Sequence, residues 1–176
     1  MADSAQQTHP FPPLYDAQSE ILILGSFPSV KSRAARFFYH TPQNRFWRVL
    51  AAVFDQPLPQ GVEEKTAFLL RNHVALWDVI ASCEIAGSSD LSIRNVVPND
   101  LTPILTQAPI RAIFCNGATA FRLYEKHLLP KTGIFAHQLP STSPANAGWS
   151  LERLTEAWRC IAGPFACQAA KKDADS

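Results

Sequence analysis

The stretch from residue 25 to residue 47 carries the side chains best suited to chemistry. It opens with Gly-Ser-Phe-Pro-Ser after the apolar run Ile-Leu-Ile-Leu, and it closes with Tyr-His-Thr-Pro-Gln-Asn-Arg-Phe-Trp. Small residues, aromatic rings, an amide and cations are the groups that bind a flat base and a phosphate backbone. Because a Gly/Pro turn after a buried strand places the next residues at the rim of a sheet, the stretch predicts a binding site.

A second polar loop spans residues 140–146 and reads Pro-Ser-Thr-Ser-Pro-Ala-Asn. Hydroxyls and backbone N–H groups can bond phosphate oxygens, and a loop stiffened by two prolines can wedge into a groove. The same composition is also typical of an ordinary turn before a helix. Asn44 has two interpretations as well: it orients a water or bonds a base edge, or it caps a helix.

Apolar runs alternate with segments of helical periodicity, which predicts an α/β fold with a short parallel sheet covered on both faces. We expect a three-layer α/β/α sandwich with a four-stranded, mostly parallel central sheet. The expected strands are 20–24, 73–80, 110–115 and 135–139, and the expected helices are 44–54, 62–72, 100–107, 118–128 and 151–161. Since the loops at the carboxyl ends of parallel strands share one edge, the two loops above should meet there, together with those after Asp78 and Asn116.

The domain prediction is simple. Residues 1–18 form an irregular arm because three prolines oppose a helix, residues 19–165 form a single domain, and residues 166–176 form a polar tail. A chain of 176 residues favours one domain of this size.

The net charge of +1 hides an asymmetry, because no Asp or Glu occurs between residues 21 and 54. That stretch holds five cations: Lys31, Arg33, Arg36, Arg45 and Arg48. Such a local basic face can follow phosphates, although a solvated helix face is the alternative.

Several classes of protein are disfavoured. The four cysteines form no C-x-x-C pair, so we expect no metal and no cofactor. The absence of G-x-x-x-x-G-K-[ST] and G-x-G-x-x-G weighs against nucleotide hydrolysis and hydride transfer. No apolar run is long enough to span a membrane, and the N-terminus does not read as a signal peptide, so we expect a cytoplasmic protein. His40 and His137 lie in rim segments and are candidates for contacting the leaving group or a phosphate.

Three ordered motifs carry a resemblance that covers about residues 10–165. They are Gly-Ser-Phe-Pro-Ser with Pro-Gln-Asn-Arg-Phe-Trp, then Cys-Asn-Gly-Ala at 115–118, then Leu-Pro-Ser-Thr-Ser-Pro-Ala-Asn at 139–146. The set resembles the uracil-DNA glycosylase superfamily, and within it the hypoxanthine-DNA glycosylase (DNA-deoxyinosine glycosylase) family. Mismatch-specific members of the superfamily carry an Asn in the first loop that positions the attacking water, whereas Phe27 fills that slot here.

The resemblance implies site residues. Asn44 is the catalytic candidate, and Tyr39 or Phe38 matches the aromatic residue that stacks on the flipped base. The expected base pocket is Gly25, Ser26, Phe27, Pro28, Phe38, Tyr39, Asp78 and Asn116. The expected DNA-binding residues are Lys31, Ser32, Arg33, Arg45, Ser141, Thr142, Ser143, Pro144, Ala145 and Asn146.

The expected function is that of a monofunctional DNA glycosylase, acting as a monomer without metal or cofactor. It would hydrolyse the N-glycosidic bond of a deaminated base in DNA, most simply hypoxanthine, and leave an abasic site. Three alternatives stay open: a uracil or mismatch-specific glycosylase, a non-catalytic DNA-binding module on the same fold, and a small-nucleotide hydrolase.

Overall fold

A computed structural model describes residues 4–163 of the chain. Its centre is a four-stranded parallel sheet in the order β3-β2-β6-β7. These strands are β2 (Ile21–Gly25), β3 (Val74–Asp78), β6 (Ala112–Asn116) and β7 (Ala136–Leu139). The predicted α/β class and the four-stranded parallel sheet are confirmed.

Strands β2 and β3 are buried along their whole length, and β6 is buried up to its last residue, which requires cover on both faces of the sheet. The helices supply that cover: α3 packs on β3, α5 packs on β6 and β7, and α2 packs on α7. The helices are α1 (Val30–Ala35), α2 (Phe46–Val53), α3 (Gly61–Arg71), α4 (Thr102–Gln107), α5 (Ala118–His127), α6 (Leu129–Thr132) and α7 (Leu151–Trp158). Two 3-10 turns, Asp90–Ser92 and Arg159–Ala162, complete the helical elements.

A second, antiparallel sheet was not predicted from the sequence. Its strands are β1 (Ala5–Thr8), β4 (Ile80–Ile85) and β5 (Arg94–Pro98), in the order β1-β4-β5. The segment 5–8, expected to be irregular, is therefore a strand that pairs with β4. The prolines that exclude a helix begin only at residue 10, and an extended edge strand before them is compatible with their fixed φ.

The strand predicted for residues 73–80 is in fact two strands belonging to two sheets. The chain leaves the parallel sheet at Val79, whose N–H donates to the Gly25 carbonyl. The side chain of Asn99 then bonds the carbonyls of Asp78 and Ile80. The sequence does not show that the chain changes sheets here, because residues 74–80 are apolar or buried throughout and look like one continuous strand.

The arm packs against the domain rather than extending from it. Phe11 belongs to the buried core, and Leu14 forms a bridge with Leu76 of β3. The domain boundary predicted at residue 19 stays a prediction, and the predicted tail at 166–176 lies outside the described residues. Within residues 4–163, no helix is both long enough and apolar enough to cross a membrane.

Candidate active site

A cleft of about 390 Å³ lies at the carboxyl ends of the parallel strands. The loops after β2, β4, β6 and β7 form its walls, as expected for an open parallel sheet. The residues that line it include Gly25, Ser26, Phe27, Pro28, Phe38, Tyr39, Asn44, Asp78, Asp90, Asn116, Ser141, Thr142, Ser143, Pro144 and Ala145.

Asn44 and the 140–146 loop face this same cleft and are bonded to each other. The Thr142 hydroxyl donates to Asn44 Oδ1 over 2.8 Å, and the backbone N–H of Phe46 donates to the same oxygen over 2.9 Å. Asn44 Oδ1 therefore caps the first N–H of α2 from the position before the N-cap residue Arg45, and the predicted role of Asn44 at a water or a base stays a prediction. Both bonds are accepted by Oδ1, and the Nδ2 amide hydrogens of Asn44 bond no described residue.

Asn116, at the end of β6, completes a chain of hydrogen bonds. Its Nδ2 donates to Thr142 Oγ1 over 3.0 Å, and its Oδ1 accepts from the Thr142 N–H over 3.0 Å. Since the Thr142 hydroxyl has a single hydrogen, accepting from Asn116 directs that hydrogen to Asn44. The three side chains form one neutral wall, which we call the amide wall (Asn44, Asn116, Thr142).

The 140–149 loop is fastened by Arg45. Its guanidinium group donates to the carbonyls of Trp149, Ser143 and Asn146, the last two over 3.1 Å each. Within the loop, Asn146 Nδ2 donates to the Ser141 carbonyl over 3.0 Å. Arg45 thus holds the loop in shape. The sequence predicted that Arg45 binds a DNA phosphate, and that role stays a prediction.

The aromatic residues expected in the pocket divide into two groups. Phe38 is buried in a cluster with Phe11 and Trp77, with ring centroids at 4.8 and 6.3 Å. Tyr39 stacks face to face on Phe46 with ring centroids 3.9 Å apart, so one face of its ring is occupied. Burial raises the pKa of the Tyr39 hydroxyl, and the nearby Asp78 carboxylate raises it further.

Asp78, at the end of β3, occupies the opposite wall. Its side chain is 6% exposed, and its Oδ2 lies 2.7 Å from Nε2 of His9, whose side chain is 3% exposed. A Cβ atom added to Gly25 would lie only 2.4 Å from Asp78 Oδ1, so glycine is required where the carboxylate crosses the strand end.

Asp90 adds a second carboxylate to this wall. Its Oδ1 accepts a 2.9 Å hydrogen bond from the Ser26 hydroxyl. The residue as a whole is exposed at the rim, but the carboxylate lies in the cleft. Loss of solvent there raises its pKa, the Ser26 hydrogen bond lowers it, and the Asp78 charge raises it. We call Asp78 and Asp90 the carboxylate wall.

The residues expected to bind DNA do not share one environment. Lys31 is exposed on α1, whereas Ser32 is buried and accepts a hydrogen bond from the His40 N–H. The Arg33 guanidinium donates to the carbonyls of Pro28 and Gly87, over 2.7 and 3.1 Å. Pro144 and Ala145 are exposed at the tip of the loop, and Thr142 is fully buried beneath them.

Sequence reasoning missed His9 and Asp90. His9 lay in the segment expected to be irregular, and Asp90 lay in a loop of Gly and Ser. The only sequence signal was a His beside the Pro-Phe-Pro-Pro run and an acid after Ser88-Ser89. His40 is exposed and His137 lies against Phe114, with neither lining the cleft. Among residues 4–163 no group of three or more His, Cys, Asp or Glu side chains is placed to hold a metal ion.

Comparisons with known proteins agree with this architecture. The sequence model of the Uracil DNA glycosylase superfamily matches residues 12–162. A hypoxanthine DNA glycosylase of Methanosarcina acetivorans is 36% identical over 153 residues, 86% of this chain and 95% of the relative. A hypoxanthine DNA glycosylase of Methanosarcina barkeri is 33% identical over 138 residues, 77% of this chain and 86% of the relative.

The same likeness holds in three dimensions. The solution structure of an M. acetivorans protein described as a candidate uracil DNA glycosylase superposes with a TM-score of 0.74 at 35% identity. The match covers 86% of this chain and 94% of the other. Fold, cleft and relatives together define a DNA glycosylase, a hydrolase of N-glycosidic bonds whose substrate is DNA. The chain belongs to the uracil DNA glycosylase superfamily, which confirms the family predicted from the three motifs.

Proposed function

We propose that this protein removes hypoxanthine from deoxyinosine in DNA and leaves an abasic site. The observation that carries the proposal is the 2.8 Å bond between Thr142 and Asn44, which joins the catalytic candidate to the expected DNA-penetrating loop in one cleft. The hypoxanthine DNA glycosylases related to this chain support the choice of base.

The target base reaches this cleft only outside the base stack. Rotating a nucleotide out of a duplex costs a few kcal/mol, and least for a poorly paired base such as hypoxanthine. The exposed tip at Pro144 and Ala145 fits the space that the nucleotide leaves, because Arg45 fastens the loop behind it. A fastened loop enters the duplex with little further loss of conformational entropy.

The two walls of the cleft suggest an orientation for the nucleotide. Phosphates are repelled by Asp78 and Asp90, so the backbone belongs on the side of the polar 141–146 loop and of exposed Lys31. The base then faces the carboxylate wall, and the sugar lies between the walls. The ring of Tyr39 and the side chain of Phe27 border the space left for the base.

The chemistry follows from the charges that develop as the bond breaks. The sugar becomes positive and the leaving base becomes negative, so a donor aimed at the base or at the attacking water lowers the barrier. Asn44 fits that role, because Thr142 and the Phe46 N–H fix its oxygen and leave its amide hydrogens for the cleft. The backbone N–H groups of the 25–29 loop are further donors toward the leaving base.

The proposal is tested by single-turnover assays on otherwise identical duplexes that contain deoxyinosine, deoxyuridine or deoxyxanthosine. We expect an alkali-labile site at deoxyinosine. Robust release of uracil without release of hypoxanthine would overturn the choice of base. Salt-sensitive binding with no alkali-labile site at any of the three bases would indicate a non-catalytic DNA-binding module. Release of hypoxanthine from free inosine, with none from DNA, would indicate a nucleotide hydrolase.

We also propose a monomer in the cytoplasm. The buried Cys83 and Cys115 are thiols, which suits a reducing compartment. Burial raises the pKa of Cys115 to about 12, so this thiol is unreactive packing rather than a nucleophile.

A further inference from the structure

His9 lies buried behind the cleft wall, in contact with Asp78, although it comes from the N-terminal arm. It follows β1, and its backbone N–H donates to the Ala81 carbonyl over 2.7 Å. Its imidazole packs between aromatic rings, with centroids 4.3 Å from Trp77 and 4.5 Å from Phe11. The pairing of β1 with β4 therefore delivers a polar ring into an apolar cluster.

That ring makes one polar contact among the described residues, the 2.7 Å contact of Nε2 with Asp78 Oδ2. An ionised carboxylate only accepts hydrogen bonds, so Nε2 is the donor. Nδ1 is buried and has no partner. A buried polar atom without a partner costs free energy, so packing alone does not explain a histidine at this position.

The contact leaves Asp78 with one oxygen held and the other unused. Oδ1 lies against Gly25, and no described residue donates a hydrogen bond to it. The groups around this carboxylate are His9, the Tyr39 hydroxyl and the Asp90 carboxylate. The Tyr39 hydroxyl is itself buried, with no partner in hydrogen-bonding geometry. At this corner of the cleft, Asp78 Oδ1 is therefore the acceptor left for a ligand.

Deamination changes the group that a purine would present to such a corner. Adenine has a lone pair at N1, whereas hypoxanthine has an N1–H donor. A carboxylate oxygen attracts that N–H and repels a lone pair, so a fixed acceptor separates the damaged base from its parent. The same contact does not act against guanine, which also carries an N1–H.

Resting on the proposed function, we propose that His9 is a positioning residue that holds Asp78 with Oδ1 toward the flipped base, where it accepts the ring N–H of a deaminated purine. Without His9 the carboxylate is free to rotate, and the acceptor is no longer fixed. Recognition of the base then depends on His9 of the N-terminal arm, which follows β1 and lies outside the parallel sheet.

The test compares single-turnover excision from two duplexes, one with deoxyinosine and one with purine 2′-deoxyriboside, whose N1 carries a lone pair. We expect His9→Leu to lower the deoxyinosine rate about 10- to 100-fold, as for loss of a charge-assisted hydrogen bond. The ratio of the two rates should fall by a similar factor. His9→Gln, which keeps a donor near the position of Nε2, should stay within about threefold of the wild type in that ratio.

Two further variants separate positioning from folding. Phe11→Ala removes a neighbour of the same imidazole without touching Asp78, so it should lower the melting temperature and leave the ratio unchanged. Adding His9→Leu to Asp78→Asn should cost little beyond Asp78→Asn alone, because both act through one contact.

The outcomes are distinguishable. A wild-type protein that releases no hypoxanthine overturns the proposed function. A wild type that releases it, with a His9→Leu variant that slows both duplexes alike or slows neither, overturns only the positioning role. Losses that multiply in the double variant overturn that role as well.

Discussion

The two walls of the cleft are built on opposite principles. The amide wall is neutral, and its three residues are joined by hydrogen bonds of 2.8 to 3.0 Å. The carboxylate wall carries two acids, and the pKa of one of them, Asp90, is raised chiefly by loss of solvent and further by the Asp78 charge. A neutral wall can fix a donor without changing its charge, whereas an anionic wall discriminates between donors and acceptors on a ligand. This difference supports the proposal that bond cleavage depends on the first wall and base recognition on the second.

The largest effect is expected at Asn44. Asn44→Ala should lower single-turnover excision by about 10²- to 10³-fold, the loss typical of one donor aimed at developing charge. Asn44→Asp keeps an oxygen for Thr142 and the Phe46 N–H but removes the amide hydrogens, which bond no described residue and are proposed to donate to the base or to water. We expect both variants to lose activity and only Asn44→Ala to lose the helix cap, at about 1 kcal/mol in chemical denaturation. An active Asn44→Asp enzyme would contradict a donor role.

Gly25→Ala tests the carboxylate wall from the opposite side. The new Cβ would lie 2.4 Å from Asp78 Oδ1 and 3.2 Å from the Tyr39 hydroxyl, so the carboxylate must move. Since a misplacement near 1 Å can cost about 10²-fold, we expect a loss of excision approaching that factor. Gly148→Ala is the matched control, because no atom lies within 4 Å of its added Cβ. Equal excision rates for the two alanine variants would contradict the proposed role of the carboxylate wall in base recognition.

Thr142→Val removes the central hydroxyl of the amide wall at nearly constant shape. Asn44 Oδ1 then loses a donor and Asn116 Nδ2 loses an acceptor, which should cost about 1–3 kcal/mol of stability. We expect excision to fall by about tenfold, since the Phe46 N–H still fixes Asn44 in part. Thr142→Ser restores the hydroxyl and should recover most of the rate. Failure of the serine variant to do so would show that the methyl group, not the hydrogen bond, matters.

The smallest effect concerns stability and Asp90. Its pKa is raised in the folded protein, chiefly by loss of solvent, so its ionisation opposes folding. The protonated Asp90 carboxyl group contributes fully to the free energy of unfolding below the unfolded pKa of about 3.9. That contribution is lost as the pH rises through the pKa of the folded protein. Asp90→Asn keeps the acceptor for Ser26, so at pH 7 its melting temperature should exceed that of the wild type. The difference should vanish in acid; a variant less stable than the wild type at pH 7 would contradict the direction.

The sequence predicted the amide wall better than the carboxylate wall, for a physical reason. The amide wall comes from positions next to helix and strand ends: Asn116 ends β6, Thr142 follows β7 and Asn44 precedes α2. A parallel sheet brings the loops after its strands to one edge. Of the carboxylate wall the sequence predicted Asp78, at the end of β3, but not Asp90, which follows β4 of the second sheet. The contact that holds Asp78 depends on the second sheet as well. There, the contact between His9 and Asp78 joins residues 69 positions apart through the pairing of β1 with β4, and no local pattern encodes that pairing.

Cationic residues show the same limit on a smaller scale. The sequence identifies a basic stretch with no acids, and Lys31 is indeed exposed in it. It does not reveal that the Arg45 and Arg33 guanidinium groups bond backbone carbonyls of other loops. A guanidinium group that suits a phosphate oxygen suits a carbonyl oxygen equally well, so residue type alone leaves the partner open.

By itself the sequence determined the family, the parallel sheet and the three motifs at its edge, because apolar runs and turn residues act locally along the chain. The contacts between polar atoms depend on the tertiary structure: which groups bond Oδ1 of Asn44, which arginine bonds the carbonyls of the 140–149 loop, and which histidine contacts Asp78. Hydrogen bonds form within about 3 Å in space, and that distance bears no relation to separation along the chain.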